Sequence, residues 1–455
     1  MTDTNILPTE SVFPVEPVSP AGQPAGEVAG EPWRVSLLAA VVLAIAYYGG
    51  VGWFLTIAGL LIMIFLHELG HYLAARRSGM KVTEFFLFFG PKIWSFRRGE
   101  TEYGIKLLPL GAYVRIIGMS NLDTGVTPED EPRTYRQQSY PKRLLVASAG
   151  SLMHFLQAIV LFFIAFSILG VDGGGGLGER LGAPAPPVIV GSVSEGSGAA
   201  AAGVLEGDLV VSIGGTPVES YYDVGPLVVA RAGETVAVEV ERNGESLTLN
   251  ATLGRREEDS SMGFLGIGNA DVPAAKVRVN PIEGAVQAVE LTALGMKETA
   301  TSLVGFFAHD LGDFGRSVAQ GSSVQGSDAK SANSANSGDA GSSRAPRSGD
   351  EKRLMSLPGI ARIGASLVDE GLGDFLVFFA LINISLGVLN MLPMLPLDGG
   401  HVVIATYERI RSTKGRNYMA DVSRLIPLTY AVIMFFLIIG MSAIYLDVRD
   451  PIGLG

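Results

Sequence analysis

The sequence predicts a polytopic α-helical membrane protein with four core transmembrane helices, a fifth at the N-terminus if residues 35–49 span, a membrane-associated β-hairpin and an extracytoplasmic α+β domain. Composition is the first sign. Hydrophobic residues make up 48% of the 455, and a mean hydropathy of +0.34 is too high for an ordinary soluble chain. The second sign is run length. Residues 144–170, 375–397 and 425–446 contain no Asp, Glu, Lys or Arg, and each exceeds the roughly 20 helical residues that cross a hydrocarbon core of about 30 Å. A fourth apolar run, from Val35 to Leu66, is interrupted by "YYGGVGW" at 47–53; this favours a spanning helix at about 52–75 behind a weaker segment at 35–49. Loop charge is the third sign. Residues 76–143 hold 12 Lys/Arg against 7 Asp/Glu and 400–424 hold 5 against 2, whereas 171–371 hold 15 against 26. Basic loops stay in the cytoplasm, so the first and third core helices run inward and the long acidic segment lies outside.

Each element then has its own justification. Residues 1–32 are rich in Pro, Glu and Gly and hold no Lys or Arg; they read as a disordered tail and lack the basic start of a signal peptide. Residues 33–76 carry the N-terminal hydrophobic segment and the first core helix, 77–143 a cytoplasmic loop, and 144–170 the second core helix. Within the loop, residues 81–119 alternate aromatic or β-branched residues with Gly and charges, reading as short strands joined at "RRGE" (97–100). Residues 187–253 combine "VIVGSVSEGSGAAAAGVLEGDLVVSIGGTPV" with a β-rich "ETVAVEVERNGESLTLNATL". The Val/Ile alternation, the short Ala helix ending at Gly203 and the "GDLVVSIGG" turn-and-strand resemble a PDZ domain, whose groove takes an extended C-terminus; a β-rich spacer is the plainer alternative. An amphipathic helical region is expected over 254–317, a flexible Ser/Gly/Ala/Asp linker over 318–350 and an amphipathic helix over 351–374. The third core helix (375–398), a cytoplasmic loop (399–424) and the fourth core helix (425–446) complete the chain.

Chemistry concentrates in "LHELGHYLAARRSG" at 66–79. Residues four apart share a helix face, so His67 and His71 can direct imidazole nitrogens at one ion with Glu68 beside it. This is the H-E-x-x-H arrangement of zinc peptidases, in which two His and a carboxylate leave a position for water. With no cysteine in the chain, any metal must take His, Asp or Glu. A third ligand should be acidic, membrane-embedded and at the same depth. Asp398 fits, closing "NMLPMLPLDGGH" between Pro396 and a Gly399-Gly400 pair. Capping of the next helix is the other role open to it, and His401 is the competing ligand.

"HELGH" ending a first core helix, "NMLPMLPLDGG" ending a later one and a domain between them together resemble the site-2 protease family of intramembrane zinc metalloproteases, over about residues 52 to 446. The resemblance implies Zn2+ held by His67, His71 and Asp398, with Glu68 as general base. It also implies a substrate or transition-state role for Asn390, where an interhelical hydrogen bond is the alternative. "SAGSLMHFLQ" (148–157) looks like the family's A-G-P-x-x-N-F element with Ser151 for the Pro and His154 for the Asn. A buried polar contact is the plainer role for His154; an active-site role is the sharper one. By the same resemblance residues 81–119 form a membrane-dipping hairpin whose edge meets an extended substrate, and the PDZ-like domain lies outside the membrane.

The function expected is regulated intramembrane proteolysis. Substrates would be single-span membrane proteins such as anti-sigma factors, or remnant signal peptides, already clipped by an upstream extracytoplasmic protease. A catalytically silent scaffold recruiting partners through the PDZ-like domain is the alternative, and it predicts a broken motif. A transporter would need inverted repeats, which the sequence does not show. The net charge of −11 argues against nucleic acid as a partner, leaving membrane protein substrates and the lipid bilayer.

Overall fold

Two helical segments meet at a kink at Gly50 within Pro32–Arg77, as the interrupted N-terminal run predicts. There φ is 72° and ψ −176°, a backbone conformation open to glycine and costly for residues with a Cβ. The computed structural model describes residues 32–119, 126–173, 175–183, 187–255, 262–270, 275–310, 356–413 and 418–449. The expected tail, but for Pro32, and the expected 318–350 linker lie outside these residues.

Among the described residues, four helices are long and apolar enough to cross a membrane: Tyr47–Arg77, Tyr140–Leu169, Leu372–Asn390 and Val422–Tyr445. Leu152, Leu156 and Val160 are exposed at a spacing of four on the second, and Met434, Leu437, Ile438 and Met441 are exposed on the fourth; such faces suit acyl chains, because the helix satisfies its own backbone. The third departs from expectation. Its uncharged sequence runs on to 397, yet the helix stops at Asn390 and seven residues of turn precede a new helix, Asp398–Arg411. Pro393 and Pro396 lack the N–H that would continue the ladder.

The chain divides into two units. The first comprises Leu61–Met153 and Asn390–Ile433 with the described residues up to Ala44. In it, strands Val82–Arg98 and Thr101–Ile116 pair antiparallel about a turn at Gly99, and their register corrects the picture of a plain two-stranded hairpin. Lys92–Arg98 pairs antiparallel with Thr101–Lys106, while Glu84–Leu87 pairs with both Glu102–Ile105 and Ala112–Arg115. Both arms fold back on themselves, at positive-φ Phe88 and Gly90 in one and at Gly111 in the other, next to Pro91 and Pro109. The sheet therefore has two open edges, Lys92–Arg98 and Ala112–Arg115. Its base packs into a core of Ala74, Ala75, Met80, Val82, Ile116, Tyr135, Val146 and Ala149, and Tyr72 and Tyr103 join helix to sheet through their hydroxyls at 2.5 Å.

The second unit comprises Ile45–Leu60, His154–Leu389 and the described residues from Met434. Its β-rich part is an antiparallel sheet in the order Thr216–Pro217, Leu209–Ile213, Thr235–Arg242, Glu245–Thr252. Val236, Val238 and Val240 are buried on alternate positions, as a half-buried strand requires. Helix Gly198–Ala202 is capped by the Ser197 hydroxyl, which accepts from Ala200 N, and ends at left-handed Gly203. The region expected to be helical over 254–317 is only partly so. Strand Ile267–Asn269 pairs with Val190–Val193, and Lys276–Val277 pairs with Val171–Asp172; the helix is Pro281–Gly305. The apolar segment around Leu265 completes the core that Val188 and Val190 begin, so burial overrides the helical reading. Helix Leu357–Glu370 starts at Ser356, whose hydroxyl accepts from Gly359 N at 3.2 Å.

Candidate metal centre

His67, Glu68 and His71 lie on the last three turns of the first helix. His71 is held by its backbone-facing nitrogen: Nδ1 donates to the carbonyl of Val146, 2.8 Å away on helix Tyr140–Ile164. That bond fixes the tautomer and leaves the Nε2 lone pair for a ligand role. The two helices come this close because both are small at the crossing. A Cβ on Gly70 would sit 2.6 Å from the Ala149 carbonyl oxygen, and one on Gly150 would sit 2.3 Å from His67 Cε1 and 2.4 Å from His71 Nε2.

Asp398 arrives from the other side, as the first residue of helix Asp398–Arg411. The preceding turn folds tightly over this end: Cβ atoms on Gly399 and Gly400 would lie 2.2 Å from the Met391 carbonyl oxygen and 2.6 Å from Leu395 N. A buried ion pair ties the helix to the histidines' neighbour. Arg143, on the second helix, donates to Glu408 at 2.5 Å, with side chains 12% and 6% exposed; Glu408 also accepts from Ala420 N at 2.7 Å.

The ligand atoms of His67, His71 and Asp398 all lie within 4.8 Å of one another, and they form the one such donor group among the described residues. His71 Nε2 is 3.3 Å from His67 Nε2 and 3.2 Å from Asp398 Oδ1, and His67 Nε2 is 3.7 Å from Asp398 Oδ2. An ion held tetrahedrally by donors at roughly 2.0–2.2 Å spaces them about 3.3–3.6 Å apart. The three residues therefore stand close to zinc-like spacing, with each imidazole nearest a different oxygen of Asp398. Ser151 Oγ donates to Asp398 Oδ2 at 3.3 Å.

Glu68 is beside these donors. The backbone N–H of Val114, on the open edge Ala112–Arg115, faces its carboxylate. His401 does not join the donor group; burial pushes its imidazole down to about 4, leaving it neutral at pH 7. His154 belongs to the second unit, where Nδ1 is 2.9 Å from Asn383 Oδ1 and both side chains are buried. Asn390 ends the third helix, before the turn; the two helical turns that would have joined it to Asp398 do not form. Sequence reasoning missed the Val146 carbonyl, which any residue type supplies, and the Arg143–Glu408 pair, 265 residues apart. The signal for the pair was a charge within a helix otherwise apolar enough to span.

A helix-end His-Glu-x-x-His set meeting an aspartate from a distant helix also sets what this chain resembles. Zinc metalloprotease Rip1 of Mycobacterium tuberculosis is 31% identical over 420 residues, covering 87% of this chain and 96% of the relative. Rip1 of Mycolicibacterium smegmatis is 31% identical over 437 residues, covering 89% and 99%. A solved PDZ domain from Listeria monocytogenes aligns with 19% of this chain at 22% identity and a TM-score of 0.17, too low for a comparison of folds. The sequence profile of peptidase family M50 matches residues 55–336 and 343–435, a span that takes in both halves of the metal centre, and the chain belongs to that family.

Proposed function

We infer that this M50-family zinc metalloprotease is an intramembrane endopeptidase that cuts single-span membrane proteins near the cytoplasmic end of their helices. One observation carries the reading: His67 and His71, with a glutamate beside them near the end of a helix apolar enough to span a membrane, meet partly buried Asp398 from another helix at near-zinc spacing. A charge-bearing group in such a helix is expensive and is kept for function. His67, His71 and Asp398 would hold the zinc. Bound there, zinc supplies Lewis acidity, bringing the pKa of water from 15.7 toward about 7 and polarising the scissile carbonyl.

This chain's own groups do the rest. Glu68 takes the proton of the attacking water and delivers it to the leaving amine nitrogen, so one carboxylate serves as base and then as acid. Asn390 donates its amide to the developing oxyanion. A substrate helix hides its carbonyls in its own ladder and must unwind before it can be cut. The open edge Ala112–Arg115, beside Glu68, suits an extended segment added as a further strand.

The basic loops support a metal centre toward the cytoplasm and the β-rich, PDZ-like domain outside. There it would screen substrates already trimmed by another protease. Anti-sigma factors and remnant signal peptides are the substrate classes this arrangement serves, and release of a cytoplasmic fragment is the output. The test is Glu68→Gln in membranes, with a model single-span substrate. Cleavage should fall by a factor of about 10² to 10⁴ while zinc stays bound. Cleavage at the wild-type rate by Glu68→Gln overturns the mechanism.

A further inference from the structure

Serine and threonine hydroxyls inside helices ordinarily turn back to the carbonyl one turn earlier. Those of this protein do so repeatedly: Thr56 bonds Gly52 O at 2.8 Å, Ser148 bonds Leu144 O at 2.9 Å, Thr292 bonds Ala288 O at 2.7 Å, Thr406 bonds Val402 O at 2.7 Å and Thr429 bonds Leu425 O at 3.0 Å. Ser151 behaves differently. It is 1% exposed, lies within helix Tyr140–Ile164, and directs its hydroxyl 3.3 Å across to Asp398 Oδ2. The residue just before it is Gly150, the one against which both imidazoles are seated. Ser151 also stands where the A-G-P-x-x-N-F element has proline, a residue with no hydroxyl to give.

We propose that Ser151 is a positioning residue that fixes the rotation of the Asp398 carboxylate, so that its oxygens face the two imidazoles. The two oxygens are already distinguished. Oδ1 lies 3.2 Å from His71 Nε2, whereas Oδ2 lies 3.7 Å from His67 Nε2 and accepts the Ser151 hydroxyl. A hydroxyl donating to one carboxylate oxygen removes the freedom to swing about the Cβ–Cγ bond. Partners of this kind around a ligating group are worth about 10- to 100-fold in metal affinity. The inference rests on reading Asp398 as a zinc ligand.

The experiment measures the zinc dissociation constant of the purified full chain in detergent, by competition with a chelating indicator. Ser151→Ala should weaken zinc binding about 10- to 100-fold, and Ser151→Thr, which keeps the hydroxyl, should stay within about threefold of wild type. In an Asp398→Asn background the Ser151→Ala change should add nothing further, because the group it orients has been altered. Zinc binding of Ser151→Ala at wild-type strength, with Asp398→Asn impaired, overturns the proposal and spares the ligand assignment. Wild-type affinity in Asp398→Asn overturns the ligand assignment itself. Equal weakening in Ser151→Ala and Ser151→Thr marks a packing effect and also overturns the proposal.

Discussion

A methyl group added at Gly150 would stand 2.3 Å from His67 Cε1, 2.4 Å from His71 Nε2 and 2.6 Å from His67 Nε2. Favourable non-bonded contacts begin near about 3.5 Å, so Gly150→Ala requires the two rings, or the helix that carries them, to retreat by roughly 1 Å. The rings have little room to do so. His71 is tied at 2.8 Å to the Val146 carbonyl one turn back on the same helix as Gly150, and Gly70 is seated against the Ala149 carbonyl of that helix. A metal site tolerates deviations of about 0.2 Å in its bonds, and a 1 Å misplacement costs catalysis about 10²-fold. Gly150→Ala should therefore lose at least about 100-fold in zinc affinity, and cleavage of a single-span substrate at limiting zinc should fall in step. Zinc is measured by atomic absorption after dialysis against a metal buffer. Gly440→Ala is the control, since nothing lies within 4 Å of a Cβ built there. A Gly150→Ala protein with full zinc at wild-type affinity would refute the seating of both histidines against this glycine.

Two further outcomes follow from charges away from the metal. Glu408→Gln leaves Arg143 charged and buried without its counter-ion, and should destabilise the full chain by about 3 kcal/mol, read as a lowered midpoint of thermal unfolding; the exchanged pair Arg143→Glu with Glu408→Arg should recover part of it, and an unchanged midpoint in Glu408→Gln would show the pair to be idle. In the β-rich domain, Asp208 accepts from Arg242 Nε and Nη2 at 2.7 Å each and from Leu205 N at 2.9 Å, and the Arg242 hydrogen bond holds its carboxyl below the usual range. A lowered folded pKa contributes stability that is present above the unfolded value of about 3.9 and is lost as pH falls through the folded one. Wild-type unfolding followed by calorimetry should lose stability between about pH 5 and pH 3 more steeply than Asp208→Asn, and identical pH profiles would contradict the assignment.

The metal motif was legible because its spacing is local. His67 and His71 share a face by the geometry of one helix, and Asp398 announced itself as a carboxylate at the end of an apolar run. Other readings were incomplete where distant contacts decide. The strands between residues 82 and 116 do pair about the turn read at 97–100, but alternation reports strands and is blind to arms that bend back at Phe88, Gly90 and Gly111. Part of the region expected to be helical over 254–317 forms strands instead, Ile267–Asn269 and Lys276–Val277, because partners at Val190–Val193 and Val171–Asp172 offer them backbone hydrogen bonds. The third helix read as running to Asp398, and two prolines stop it at Asn390.

By itself the sequence determined the membrane class, the four apolar spans and the identity of the donors, since each follows from hydropathy, charge or a period of 3.6 residues. Only the tertiary structure decided that the candidate donors stand 3.2 to 3.7 Å apart, that His154 turns to Asn383, and that the Ser151 hydroxyl reaches Asp398 and the Val146 carbonyl reaches His71. Those choices depend on which backbone atoms and side chains approach from elements hundreds of residues away, and no local pattern records the direction of approach.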